Sequence, residues 1–173
     1  FSQGFFFTDI NKNGEGFLLE RVAHLIEYFI DGGCNKGDVS KYLHEINGNI
    51  NFHLFDIVDE EFIDFKSNFT TYNKAILSDN VDRELIYTLP KSNKWNSSEV
   101  SSLYIRDDYN CKEDEFIQME LPSITLDDYA KNFTKKSNVF LKLDIEGAEI
   151  KCLEGAKKFL ANYSVSGYLE YNP

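Results

Sequence analysis

The sequence predicts an α/β fold organised around a doubly wound, mostly parallel sheet. Short apolar runs such as "EYFID", "INFHLFDIV" and "NVFLKLDIEG" read as buried strands, segments of helical periodicity separate them, and a glycine-bearing turn directly follows the first run. Strand, loop, helix, strand is the repeating unit of a parallel sheet. The 173 residues suffice for one such domain and are too few for two, so residues 1–173 are read as a single domain.

Leu18, Val22 and Leu25 recur at helical spacing, which predicts a helix over 17–25 leading into "EYFID" as strand 1. Beyond the turn, Val39, Leu43 and Ile46 define a second helix that "INGN" ends, and "INFHLFDIV" supplies strand 2. "DEEFIDFKSNF" opens on acids and carries Phe62, Phe65 and Phe69 at helical spacing, so a third helix is expected before strand 3 in "TYNKAILS". Residues of about 81–118 break the alternation and read as hairpin-like strands and loops inserted into the wound sheet. In "SITLDDYAKNF" Thr125 is an N-cap with Asp128 in the capping-box position. "NVFLKLDIEG" is strand 4. "AEIKCLEGAKKFLANY" predicts one helix presenting Ile150, Leu153, Ala156 and Leu160 on a single face, and "SGYLEY" is the last strand.

Composition narrows the function. The net charge of -11 and the dispersal of the basic residues argue against nucleic acid and anionic lipid as partners, and no apolar run is long enough to span a bilayer. Cys34, Cys111 and Cys152 are odd in number and far apart, which argues against a disulfide framework or zinc site and for a cytoplasmic location. His24, His44 and His53 are scattered and read as structural, and the sequons at Asn68, Asn96, Asn132 and Asn162 as chance. The chain opens on Phe1 without an initiator Met and closes in the middle of a strand, as a piece of a longer protein would.

In doubly wound sheets the ligand lies at the carboxyl ends of the strands, where the winding reverses. The turn "DGGCNKG" occupies that place after strand 1. Its Gly32, Gly33 and Gly37 do not fit the dinucleotide fingerprint, and Asp31 would repel a pyrophosphate. A carboxylate there suits a ligand carrying an ammonium and a sulfonium, as S-adenosylmethionine does. Gly33 and Gly37 would let the backbone approach, Asn35 could hydrogen-bond the ligand carboxylate, and Asp56 at the end of strand 2 could accept hydrogen bonds from ribose hydroxyls. At the end of strand 4, Asp144, Glu146 and Glu149 gather on the same edge, either as decoration of a helix N-terminus or, for Asp144 and Glu146, as catalytic acids facing the crevice.

"FIDGGCNKGDVS", "FDI", "SITLDDYA" and "VFLKLDIEGAEIKCLEGAKKFL", in that order, resemble the successive motifs of FkbM-type methyltransferases over about residues 30–170. The resemblance implies the Rossmann-like class I methyltransferase fold, with its C-terminal strands lacking from this chain, and S-adenosylmethionine as cofactor. It implies a cofactor loop of Asp31, Gly32, Gly33, Asn35 and Gly37, a ribose contact at Asp56, and an adenine neighbourhood around Asn73 and Ala75. The sequence departs from the family pattern in having Ile57 rather than proline after Asp56, and Lys36 in the loop. The implied reaction is O-methylation of a hydroxyl on a sugar or related small molecule or glycan. Asp144 or Glu146 could remove the acceptor proton; a divalent metal is possible and not favoured, since two carboxylates lack an identifiable third ligand. The competing readings are a catalytically inactive methyltransferase-like domain serving as a cofactor-sensing or interaction module of a larger protein, and a nicotinamide-dependent oxidoreductase. The last strand is expected to leave an open edge suited to self-association.

Overall fold

The computed structural model describes residue 10 and residues 14–80, 82–88 and 117–170. Helix α1 (Glu15–Val22) tightens into a 3-10 turn at Ala23–Leu25 and delivers the chain to β1 (Tyr28–Gly32). Helix α2 (Asp38–Ile46) leads to β2 (Asn51–Asp56), followed by β3 (Thr70–Lys74), the two-residue β4 (Ile76–Leu77), β5 (Arg83–Thr88) and β6 (Ile117–Ile124). Helix α3 (Leu126–Tyr129), β7 (Asn138–Leu143), helices α4 (Glu149–Glu154) and α5 (Lys157–Asn162), and β8 (Ser164–Leu169) complete the order.

The main sheet runs β3-β2-β1-β7-β8 with every pairing parallel, so the strand order reverses between β1 and β7. This is the Rossmann-like methyltransferase fold read from the sequence. Aromatic and aliphatic side chains alternate across the sheet and bury both of its faces. On one, Leu19, Ala23 and Leu43 of the first two helical segments cover Phe29, Phe52, Leu54 and Phe140. On the other, Leu126, Cys152 and Phe159 cover Ile30, Phe55, Leu141 and Leu143. Each fully buried side chain of this size contributes about 1.5–3 kcal/mol. Such two-sided burial is why the strands read as near-continuous apolar runs.

In the region read as an insertion, β5 and β6 pair antiparallel, and β6 joins β4 in a second, three-stranded sheet. The remainder of that reading, including Cys111, lies outside the described residues. Ile76, Ile86 and Leu121 of this sheet pack with Ala148 and, at the strand ends of the main sheet, Ile57 and Ile145. The small sheet is thereby fixed to the carboxyl edge of the large one.

Several local expectations need correction. The inward face of the first helical segment is Leu19, Ala23 and Ile26, while Leu18 and Leu25 are exposed. "DEEFIDFKSNF" forms one 3-10 turn at Glu60–Phe62 and then runs extended, because Ile63 and Phe65 are the buried pair and Phe62 and Phe69 face solvent. Burial at a spacing of two belongs to extended chain, and Phe65 uses it to pack on Phe52 and His44. Strand 3 breaks at Ala75 into β3 and β4. The helix expected after strand 4 splits into α4 and α5, whose buried positions are Cys152, Ala156 and Phe159, with Ile150 and Leu160 exposed. The break falls at Gly155, where a Cβ would overlap the carbonyl oxygen of Ser78. Thr125 does cap α3, accepting from Asp128 N–H at 3.0 Å.

Candidate active site

In doubly wound sheets the ligand crevice lies at the carboxyl ends of the strands where their order reverses, here between β1 and β7, and the turn after β1 occupies that place. Asn35 adopts φ 49°, between Gly33 at 72° and Gly37 at 85°, so the chain passes three times through the left-handed region. Gly33 is obligatory for a second reason: a Cβ there would occupy the carbonyl oxygen of Asp144. The turn is tied to β2, whose Phe55 carbonyl accepts from Gly33 N–H at 2.9 Å and Cys34 N–H at 3.1 Å. Gly32 ends β1 in register with Phe55 and Leu143, and a Cβ there would press on the Leu143 and Leu77 side chains.

Asp56 stands at the end of β2 and fastens the other side of the turn. Its Oδ2 accepts from Asn35 N–H at 2.6 Å, and its Oδ1 accepts from Ile57 N–H at 2.7 Å and Val58 N–H at 3.3 Å. Burial raises the Asp56 pKa above its ordinary value, against the three N–H donors, which favour the carboxylate.

Asp31 is 0% exposed, with its carboxylate turned into the protein. Ser40 Oγ donates to Oδ2 at 2.6 Å, and Lys142 Nζ of β7 lies 3.0 Å from Oδ1. Lys142 also donates to the Gly33 carbonyl at 2.9 Å and sits 3.9 Å from Asp144 Oδ2. Burial alone would lower the lysine pKa, but the attraction of Asp31 and Asp144 carries it above the ordinary range, so the side chain is an ammonium. Asp31 is thus paired with a buried cation and does not itself reach solvent, against the expectation of a carboxylate in direct contact with a ligand.

Asp144 follows β7, its N–H donating to the Gly32 carbonyl at 3.0 Å, and its side chain is 39% exposed. Glu146 is partly exposed and adopts φ 51°, a conformation uncommon for a residue with a Cβ. Glu149 differs from these two partly exposed acids. It is buried, with Oε1 accepting from Ile145 N–H at 3.0 Å and Oε2 from Gly147 N–H at 3.0 Å, and so holds the 144–148 turn from within.

Asn73 and Ala75 sit where β3 gives way to β4. The Asn73 amide donates to the Leu54 carbonyl at 3.2 Å and to Tyr129 Oη at 3.0 Å, and Ala75 N–H donates to the Asn73 carbonyl. Tyr129 Oη is also 2.9 Å from His53 Nδ1, and burial lowers the His53 pKa to about 4. Sequence reasoning missed Lys142, Ser40 and this His53–Tyr129–Asn73 chain.

The carboxyl ends of β1, β2 and β7 bring together Gly33, Asn35, Gly37, Asp56 and Asp144, with Asp31 buried beneath them. The partly exposed acidic groups among them, Asp56 and Asp144, are acceptors, a donor set that fits a ligand of hydroxyls and cationic centres and disfavours a pyrophosphate. S-adenosylmethionine passes that test. Among the described residues, no group of three or more His, Cys, Asp or Glu is placed to hold a metal ion, and no helix is long and apolar enough to cross a membrane.

A family model described as "Methyltransferase FkbM domain" matches residues 24–173. Among solved structures, the chain is similar to the crystal structure of methyltransferase FkbM from Methylobacillus flagellatus KT, with a TM-score of 0.46 and 15% identity. That likeness covers 79% of this chain and 30% of the other, so this chain spans under a third of that protein's length. No curated protein matches.

Proposed function

The chain belongs to the FkbM methyltransferase domain family, and from that premise we propose that it binds S-adenosylmethionine across the carboxyl ends of β1, β2 and β7 and methylates a hydroxyl, on a sugar or related small molecule or glycan. The observation that carries this reading is the convergence of the glycine turn, Asp56 and Asp144 at the reversal of strand order.

S-adenosylmethionine, when bound, supplies a methyl group already activated on a sulfonium. The chain's own task is to align the acceptor oxygen and take its proton. Asp144, partly exposed beside the turn, is the base in this reading, with Glu146 as the second candidate. Asp56 has about four acceptor positions. Three of its contacts are to backbone N–H groups, which leaves room for one ligand hydroxyl. Gly33 and Gly37 give the cofactor turn its left-handed shape and close packing, against the Asp144 carbonyl and Phe65 respectively, and Asn73 and Ala75 border the adenine end in this reading.

Calorimetric titration with S-adenosylhomocysteine and, separately, with NAD tests the assignment. Binding of the first alone is expected. Binding of NAD, or of neither, would overturn it.

A further inference from the structure

Asp31 of β1 and Asp144, just beyond the end of β7, flank one buried cation. Lys142 Nζ is 3.0 Å from Asp31 and 3.9 Å from Asp144, and the lysine side chain is 5% exposed against 0% for Asp31 and 39% for Asp144. The trio carries one net negative charge, and its placement is unequal. Asp31, with Ser40 on its other oxygen, is sealed beneath the turn, so the negative charge that reaches the crevice is carried by Asp144.

Resting on the methyltransferase reading above, we propose that Lys142 sets the ligand-charge preference of the crevice. By cancelling Asp31 it leaves Asp144 as the exposed carboxylate, which favours the cationic sulfonium cofactor over the neutral thioether left after methyl transfer. The two ligands share their adenine, ribose, ammonium and carboxylate. Their affinity ratio therefore reports the charge felt at sulfur and cancels general damage to the pocket. Transfer removes one positive charge from the bound molecule, and a crevice of this kind then holds the product less tightly.

The test is calorimetry of S-adenosylmethionine and S-adenosylhomocysteine with the wild type, Asp144→Asn, Lys142→Met and Asp31→Asn. Asp144→Asn should move the ratio toward the thioether by about threefold to tenfold, the range for a partly screened charge. Lys142→Met, which adds net negative charge, should move it the opposite way. Asp31→Asn leaves Lys142 to compensate Asp144 alone, and it should shift the ratio toward the thioether even if Lys142→Met does not fold. Variants that lose both affinities in equal proportion would overturn the proposal, reducing Lys142 to a structural pair. A wild type that binds neither ligand defeats the methyltransferase reading itself.

Discussion

Lys142 and Asp31 form a buried ion pair across the two central strands, with Nζ 3.0 Å from Oδ1. The pair joins β1 to β7 at the place where the strand order reverses, and Lys142 extends it to the turn through the Gly33 carbonyl. Breaking such a pair from one side leaves an uncompensated charge in low dielectric, which costs about 3–5 kcal/mol, whereas removing both partners is close to neutral. Asp31→Asn leaves Lys142 only the more distant, partly exposed Asp144 at 3.9 Å, so the free protein is expected to lose about 3 kcal/mol, the lower end of that range. The double variant Asp31→Asn/Lys142→Met should regain most of that loss. Urea unfolding of the three proteins checks it; equal losses in the single and double variants would show that the pair is not the source.

The three central strands, β1, β2 and β7, were legible because a parallel sheet buried on both faces leaves apolar runs that little else produces. Thr125 was legible because a cap is a local device. Helix faces were not. Leu18 and Leu25 carry the same periodicity as Leu19 and Ala23, and only packing against Phe29 and Phe52 chooses between them. The break at Gly155 depends on contact with Ser78, far away in sequence. In the site, "LKLD" held an unread signal: a lysine inside a strand otherwise buried on both faces must have a carboxylate partner. Its identity, Asp31, comes only from the register of β1 against β7, which places Lys142 opposite it.

Glu149 should matter to the shape of the site without touching a ligand. Its carboxylate holds the N–H groups of Ile145 and Gly147, and hydrogen bonds to a charged acceptor are worth about 1.5–3 kcal/mol. Glu149→Ala is expected to lower stability by about that amount. Hydrogen exchange at the Ile145 and Gly147 amides should quicken before global unfolding. Unchanged protection of both amides would remove Glu149 from this role.

Asp56 holds the turn together, and in the proposed function it also binds the cofactor. Asp56→Ala removes the acceptor for three backbone N–H groups, so both cofactor affinity and the stability of the free protein should fall, each by about 1–3 kcal/mol. Asp56→Asn keeps an acceptor oxygen and should preserve more stability than affinity. Calorimetry and thermal unfolding on the same samples separate the two effects. Full affinity in both variants would exclude Asp56 from the ligand site.

His53 gives the fold a dependence on acid. Burial holds its pKa at about 4, below the ordinary histidine value of about 6.5. The unfolded chain therefore takes up a proton first, and the contribution of neutral His53 is complete above about pH 6.5 and is lost progressively as pH falls to about 4. The loss at the lower limit is about 2–3 kcal/mol. Asp56, raised by burial, contributes in the opposite sense, with stability declining as pH rises through its titration. His53→Gln should flatten the stability profile between pH 6.5 and 4 relative to wild type. Parallel profiles for the two proteins would assign the acid sensitivity elsewhere.

Asp144 and Glu146 can be separated by what each does to turnover. Asp144 is held by its N–H on the Gly32 carbonyl and lies near the Lys142 ammonium, with a partly exposed carboxylate beside the glycine turn. Glu146 sits one residue from Gly147 in a turn fixed from beneath by Glu149, with a left-handed backbone that directs where its side chain leaves the chain. If Asp144 takes the acceptor proton, Asp144→Asn should lower turnover by about 100-fold to 10,000-fold, the usual contribution of a general base. Its cofactor affinity should fall only severalfold, because the turn and Asp56 still hold the ligand. Glu146→Gln should then have a much smaller effect, while Glu146→Gly would relieve the backbone strain and stabilise the turn by about 1 kcal/mol. Single-turnover methyl transfer, with sugars as acceptors and with and without chelator, is the measurement. A chelator-sensitive wild type would recast Asp144 as a metal ligand. Full turnover in Asp144→Asn with a large loss in Glu146→Gln would move the base to Glu146, and full turnover in both would return the acids of this turn to a structural role.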